Sequence, residues 1–397
     1  EKMVLFWHDH FATEGETIQV EHYTYKNNVL LRQHALGNFK TLVKEVTIDP
    51  GMLRYLNGYL NTKTAPDENY GRELQELFTV GKGKDSKYTE DDVKAAARVL
   101  TGWRINNTNF TSYFDSNKHD TTDKQFSSFY NNTKITGKSG TAGASETDDL
   151  ITMIFQQNEV AKFICRKLYR YFVYYDIDAT VETNVIEPLA TVFRNNNYEI
   201  KPVIETLLKS EHFFDALSMG CQIKSPVDFV VGYCRQFELQ FPLDSDYVNA
   251  YTHWSFLQYY ETLLQQNIGD PPNVAGWPAY YQEPQFYEIW INSDTYPKRM
   301  AFSTALINTG FNRGGFKLIM DVLAFTAKIP NAEDPNKLVT NLLELLLPVS
   351  VSQTVKDILK SALLNGQSSD YYWTDAWNAY KANNNDTINK TYCSNQL

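Results

Sequence analysis

The sequence predicts a mainly α-helical protein, a large irregular helical domain carrying a long polar excursion with room for a small β-hairpin. Three observations lead there. Apolar residues recur at helical spacing along most of the 397 residues. Several of these stripes begin at residues that cap helix N-termini. One long stretch, 104–148, breaks the pattern with Asn, Thr, Ser, Gly and Asp.

The elements follow in chain order. Met3-Val4-Leu5-Phe6-Trp7 fits either a helix or a buried strand. Asn28 to Val46 places Leu31, Ala35, Phe39, Leu42 and Val46 on one helical stripe. Asp49-Pro50 reads as an N-cap with proline at the first helical position, and Thr89-Glu90-Asp91-Asp92 as a capping box with Asp in place of Glu. Gly102 is suited to end the helix that follows. Further helices are expected at about 159–175, 183–194, 201–210, 225–239, 254–266, 297–309, 334–346, 351–363 and 371–381. In the excursion, Phe110-Thr111-Ser112-Tyr113-Phe114 alternates like a strand. A second irregular stretch, 270–292, holds Pro271-Pro272, Gly276-Trp277-Pro278 and a group of aromatic residues. The organisation expected is a single helical domain over 1–397 with one continuous core. The opening residues read like the middle of a domain, so upstream sequence is expected.

Composition narrows the function. Apolar residues make up 43% and charged residues 21%, a globular balance. The net charge of −10 disfavours nucleic acid and anionic membrane, both of which need a positive field. No apolar run reaches the length of a transmembrane helix. Cys165, Cys221, Cys234 and Cys393 form no dense framework; Cys165 lies in an apolar helix, and one bridge among the other three is open.

Two motifs carry candidate chemistry. His8 and His10 flank Asp9, and imidazoles ligate divalent metals. They share a face only if the backbone is extended, because residues two apart on a helix point about 200° apart. The other reading is local packing. Asn69, Arg72, Glu73 and Glu76 share one helix face, opposite an apolar stripe of Tyr70, Leu74, Leu77 and Phe78. Glu73 and Glu76 could act as ligands or as acid and base, with Arg72 holding an anion, or Arg72 could pair with Glu76 structurally. His119-Asp120, followed by Lys124, could complete a site from the excursion or form a polar turn. Trp277, Tyr280 and Tyr281 could offer rings to a sugar, or Trp277 could plug the core. His34 is a secondary candidate. No nucleophile elbow, P-loop, GxGxxG or HExxH is present.

Several motifs occur together in a fixed order. They are Lys2-Met3 with Phe6-Trp7-His8-Asp9-His10-Phe11-Ala12-Thr13, His34-Ala35-Leu36-Gly37-Asn38-Phe39, Glu68 to Gly81, Tyr88 to Val93, Arg98 to Trp103, His119-Asp120 with Lys124, and Pro271 to Pro278. In this the sequence resembles the bacterial domain-of-unknown-function 1800 family over roughly residues 1–310. Gly71 and Gln75 stand where that family commonly has Ala and Met. The resemblance implies a large, mainly helical, exported bacterial protein, in the periplasm, on the cell surface or outside the cell, encoded beside a sulfatase-like partner. It supplies no reaction. Asp386-Thr387-Ile388 also looks like the short O-glycosylation acceptor that Bacteroidetes use on exported proteins.

Two functional expectations result. The first is an envelope hydrolase or lyase acting on a glycan or other polymer. In it His8 and His10 hold a divalent metal or move protons, and the 104–148 and 270–292 loops wall the cleft. The second is a non-catalytic surface protein in which the His/Glu/Arg cluster is a buried structural network.

Overall fold

The computed structural model describes residues 1–397. It is mainly helical, with three small two-stranded antiparallel sheets. Capping explains where many helices begin. Asp49 accepts from the Met52 N–H at 3.0 Å ahead of Pro50–Tyr55. Thr89 and Asp92 form the reciprocal capping box expected for Glu90–Val99. The ambiguous opening segment is a helix, Lys2–His10.

One expected helix divides in two. Glu21–Gln33 and Phe39–Thr47 are separated by a turn at 34–38. Asn38 causes the restart: its side-chain oxygen accepts from the Thr41 N–H at 3.1 Å, while its amide nitrogen donates to the Asn197 carbonyl at 2.7 Å. The apolar stripe is continuous in sequence because both helices bury their inner faces in the same core.

The chain forms two compact units, Glu1–Asp215 with Ile268–Ile289, and Ala216–Asn267 with Trp290–Leu397. The buried apolar residues gather into separate clusters. Periodicity reports which faces are apolar, not which faces meet. The first unit is built around Trp7, Phe11, Phe39 and Phe78. The Trp7 ring stacks on Phe39 at 5.4 Å, Phe11 meets Phe78 at 5.2 Å, and Trp7 Nε1 donates to the Ala35 carbonyl. The second unit has one cluster around Phe302, Leu257 and Leu306, and another around Trp373 and Trp377. All four cysteines are free, so no bridge joins Cys221, Cys234 and Cys393.

The polar excursion holds two hairpins rather than one, Trp103–Asn106 with Thr111–Phe114 and Lys124–Gln125 with Lys134–Ile135. A third, Phe311–Arg313 with Phe316–Leu318, lies in the second unit. The excursion is pinned to the helices. Tyr130 donates to Gln75 Oε1 at 2.8 Å, and the Ser127 N–H and hydroxyl both bond the Asp92 carboxylate at 2.7 Å. No helix is long and apolar enough to cross a membrane.

Candidate functional site

The helix Lys2–His10 buries both histidines and the aspartate between them. His10 Nε2 donates to the Phe78 carbonyl at 3.0 Å, and its Nδ1 accepts from Lys167 Nζ at 2.9 Å. Both ring nitrogens are thus engaged by protein. His8 Nε2 accepts from the Gly269 N–H at 3.2 Å, so that nitrogen carries the lone pair. Burial drives His8 down to about 4 and holds His10 well below the usual imidazole range, with the Lys167 charge adding to the effect on His10. Both rings are neutral at neutral pH.

His8 and His10, the expected metal ligands, lie on one helix. On a helix His8 and His10 diverge, and His10 has no nitrogen left to give. No three His, Cys, Asp or Glu side chains gather in a way that would hold an ion.

Asp9 does more than the sequence reading allowed. Its Oδ1 accepts from the Trp277 N–H at 2.8 Å. Gly276, at φ +86°, lies so close that an added Cβ would sit 2.1 Å from Asp9 Oδ1. Only glycine tolerates both that conformation and that contact. Burial raises the Asp9 carboxyl to about 7, against the opposing pull of Lys167 and the Trp277 N–H. Burial lowers Lys167 to about 8, against the pull of Asp9. Asp9, Lys167 and His10 together tie the first helix to Asn158–Phe172 and to the 268–289 segment.

Trp277 is buried, with its ring 5.7 Å from that of His8. It plugs the core and offers no face to a sugar, which corrects its expected binding role. Tyr280 is half-buried and packs on Tyr171 at 5.4 Å. Tyr281 is exposed, its hydroxyl accepting from Asn273 at 3.2 Å.

The Asn69–Glu73 helix continues as a π-helical turn over Leu74–Thr79. Such turns widen the backbone ladder and often mark function. Here the wider turn brings the Val80 and Gly81 N–H groups onto the Gln75 carbonyl, while the Phe78 carbonyl accepts from His10. Gly71 permits close approach to the next helix, since a Cβ there would lie 3.1 Å from Ala97 N.

On the outer face the expected pairing changes. Arg72 grips Glu90 with two bonds of 2.7 and 2.6 Å and reaches Glu68, while Glu76 pairs with Lys82 at 2.9 Å. Asn69 is exposed. Glu73 is half-buried, and its carboxyl is raised first by burial and then by Glu76.

His119 stands apart from this face in a dry, closed network. Its Nδ1 lies 2.8 Å from the Thr101 carbonyl and its Nε2 2.9 Å from Glu146 Oε1. Lys124 Nζ meets Glu146 Oε2 at 2.5 Å and also donates to the Asp120 carbonyl. The side chains of Lys124 and Glu146 are completely buried. Burial acts to raise Glu146, but bonds from His119, Lys124 and the Lys138 N–H outweigh it and leave the carboxyl lowered. Asp120 bonds Arg98 Nε at 2.8 Å; hydrogen bonds from Arg98 and Thr122 overcome burial and bring it to about 2. Both ring nitrogens of His119 and both carboxylate oxygens of Asp120 bond protein groups.

The motifs quoted from this chain therefore sit where they hold helices and loops together. The family model described as a protein of unknown function, DUF1800, matches residues 1–386. The chain belongs to the DUF1800 family. That family is bacterial. No curated protein and no solved structure matches the chain.

Several residues that organise this DUF1800 protein went unread in the sequence: Lys167, Glu146, Arg98 and the structural role of Asp9. Lys167 is 157 positions from His10, on an otherwise ordinary amphipathic helix. Asp9 had a signal, since it lies between the two histidines. His22, His212 and His253 serve locally: His22 stacks on Phe110, His212 bonds the Tyr169 hydroxyl, and His253 bonds the Asn249 carbonyl.

Proposed function

We propose that this DUF1800 chain is a non-catalytic binding protein of the bacterial cell envelope, and that its target is a glycan or another hydroxyl-rich polymer. One observation carries the reading. The residues that chemistry would need are held by one another: His10 by Phe78 and Lys167, His119 by Thr101 and Glu146, and Arg72 by Glu90. Removing His10 or His119 from its partners would leave a buried polar group unpaired, at a cost of about 1–3 kcal/mol, whereas the Arg72–Glu90 pair lies at the surface. They make a scaffold.

The polymer target rests on many exposed tyrosines and on the net charge of −10, which disfavours polyanions. The envelope placement rests on family membership and on the Asp386-Thr387-Ile388 tripeptide. Thr387 is exposed there and Ile388 is 81% exposed, so a glycosylating enzyme could reach both. The family resemblance adds a sulfatase-like protein as a partner to seek by co-purification.

A second reading, a hydrolase or lyase, is favoured by Glu73 alone, through its raised carboxyl beside Glu76. Affinity electrophoresis through polysaccharide gels, run alongside an assay for new reducing or unsaturated ends, separates the two. Retardation without new ends is expected. New ends produced by the wild type and lost in Glu73→Gln would replace the binding reading with the catalytic one.

A further inference from the structure

We infer that the outer face of the Tyr247–Leu263 helix is the binding platform, and that its ligand is an uncharged polysaccharide chain. This rests on the polymer-binding reading above and names its place and its substrate class.

The helix departs from the usual pattern of a surface helix. Most helices of the chain divide into an apolar inner face and a charged outer one, as surface helices do. Among the 17 residues of Tyr247–Leu263 the only Asp, Glu, Lys or Arg is Glu261, and it is buried. The outer face instead carries four aromatic rings: Tyr247 is 65% exposed, Tyr251 64%, Trp254 45% and Tyr259 59%. Tyr251 and Trp254 meet edge to face at 5.2 Å, which holds their rings at fixed angles. Tyr247, Tyr251 and Trp254 lie within about 60° of one another around the helix and run about 10 Å along it, while Tyr259 stands about 120° round from Tyr247.

The chemistry between the rings selects the ligand. Ser255, Gln258 and Thr262 are exposed and uncharged. Gln258 and Thr262 both bond Asn267 at 3.2 Å, so the amide and hydroxyl are held in place. Every exposed ring has a polar tip. Flat rings meet the C–H faces of sugars, while hydroxyls and an amide meet their O–H groups. Asp244 and Asp246 stand exposed at the helix N-terminus and would repel an anionic chain or an anionic lipid surface. The face exposes no charged side chain, and Val248 is its only exposed aliphatic residue.

The inner face makes the platform rigid. His253 is fully buried, with its ring 5.2 Å from Phe311 and 5.1 Å from Phe316, and its Nδ1 donates to the Asn249 carbonyl at 2.7 Å. Phe256 stacks on Phe311 at 4.1 Å. The exposed rings are thus carried on a helix packed against a hairpin and are arranged before any ligand arrives, which lowers the entropic cost of binding.

The test uses the whole chain in native gels containing hydroxyethyl cellulose, dextran, alginate or heparin. The wild type is compared with Tyr251→Ala/Trp254→Ala and with Tyr25→Ala, an exposed tyrosine of the other unit. Circular dichroism verifies that each variant is folded. The expected result is retardation by at least one neutral polymer and none by alginate or heparin. The double variant should bind at least 10-fold more weakly, and Tyr25→Ala should bind like the wild type. Equal retardation of wild type and double variant, or retardation by the anionic polymers alone, overturns the inference and leaves polymer binding standing. No retardation by any polymer overturns both. Self-association in sedimentation that the double variant abolishes would assign the face to a second copy of the chain and also overturn the inference.

Discussion

Lys167 donates to Nδ1 of His10 across 2.9 Å, and this bond fixes the protonation of the ring. With Nδ1 accepting, the proton sits on Nε2 and donates to the Phe78 carbonyl. One lysine from Asn158–Phe172 thereby orients a histidine on the first helix, and the histidine closes the π-helical turn. Replacing Lys167 with Met removes the donor to Nδ1 and the positive charge that opposes burial of Asp9. A loss of about 1–3 kcal/mol is expected in urea unfolding. An unchanged midpoint would mean that this bond contributes nothing.

The Lys124–Glu146 pair is completely buried. Breaking such a pair from one side leaves an unpaired charge, at a cost of about 3–5 kcal/mol. Lys124→Met is therefore expected to be among the most destabilising single changes in the first unit, as read by thermal unfolding. By contrast, Arg72→Ala removes a bidentate pair with a Glu90 that is 66% exposed, and about 1 kcal/mol or less is expected.

His8 makes stability depend on pH with a definite sign. Its folded value of about 4 lies below the unfolded value of 6.5, so the unfolded chain binds the extra proton first. The stability associated with His8 is fully present above about pH 6.5 and is lost as pH falls toward 4. The full difference corresponds to about 3 kcal/mol. Unfolding measured from pH 7 to 4 should show a shallower decline in His8→Gln than in the wild type. An identical slope would contradict the buried, neutral assignment.

Gly276→Ala should be severe, because the methyl group would collide with Asp9 Oδ1 and the positive φ would be strained. The expected signature is loss of protection in hydrogen exchange at the Trp277 N–H. Normal protection there would show that the 268–289 segment does not depend on this contact.

The sequence could be read wherever a signal is local. Asp49-Pro50 and the Thr89–Asp92 box announce helix starts because the bonding partner lies within three residues. Asn38 was legible in principle, as an asparagine after Gly37, but the continuous apolar stripe masked the break it causes. Long-range partners leave no local trace. Nothing near His119 names Glu146, 27 residues away, and nothing near His10 names Lys167. Arg72 pairs with Glu90 rather than with Glu76, because a better-placed carboxylate stands on a neighbouring helix 18 residues away, where no local signal names it. The aromatic platform was missed for a related reason. Periodicity predicts which residues are apolar, and the assumption that apolar means buried hides an exposed row.

We propose binding without catalysis for this chain. Its most direct test is to compare wild type and Glu73→Gln for retention by a neutral polysaccharide gel and for release of new chain ends. Equal retention with no new ends from either protein is the expected result. Chain ends released by the wild type and abolished in Glu73→Gln would contradict the account.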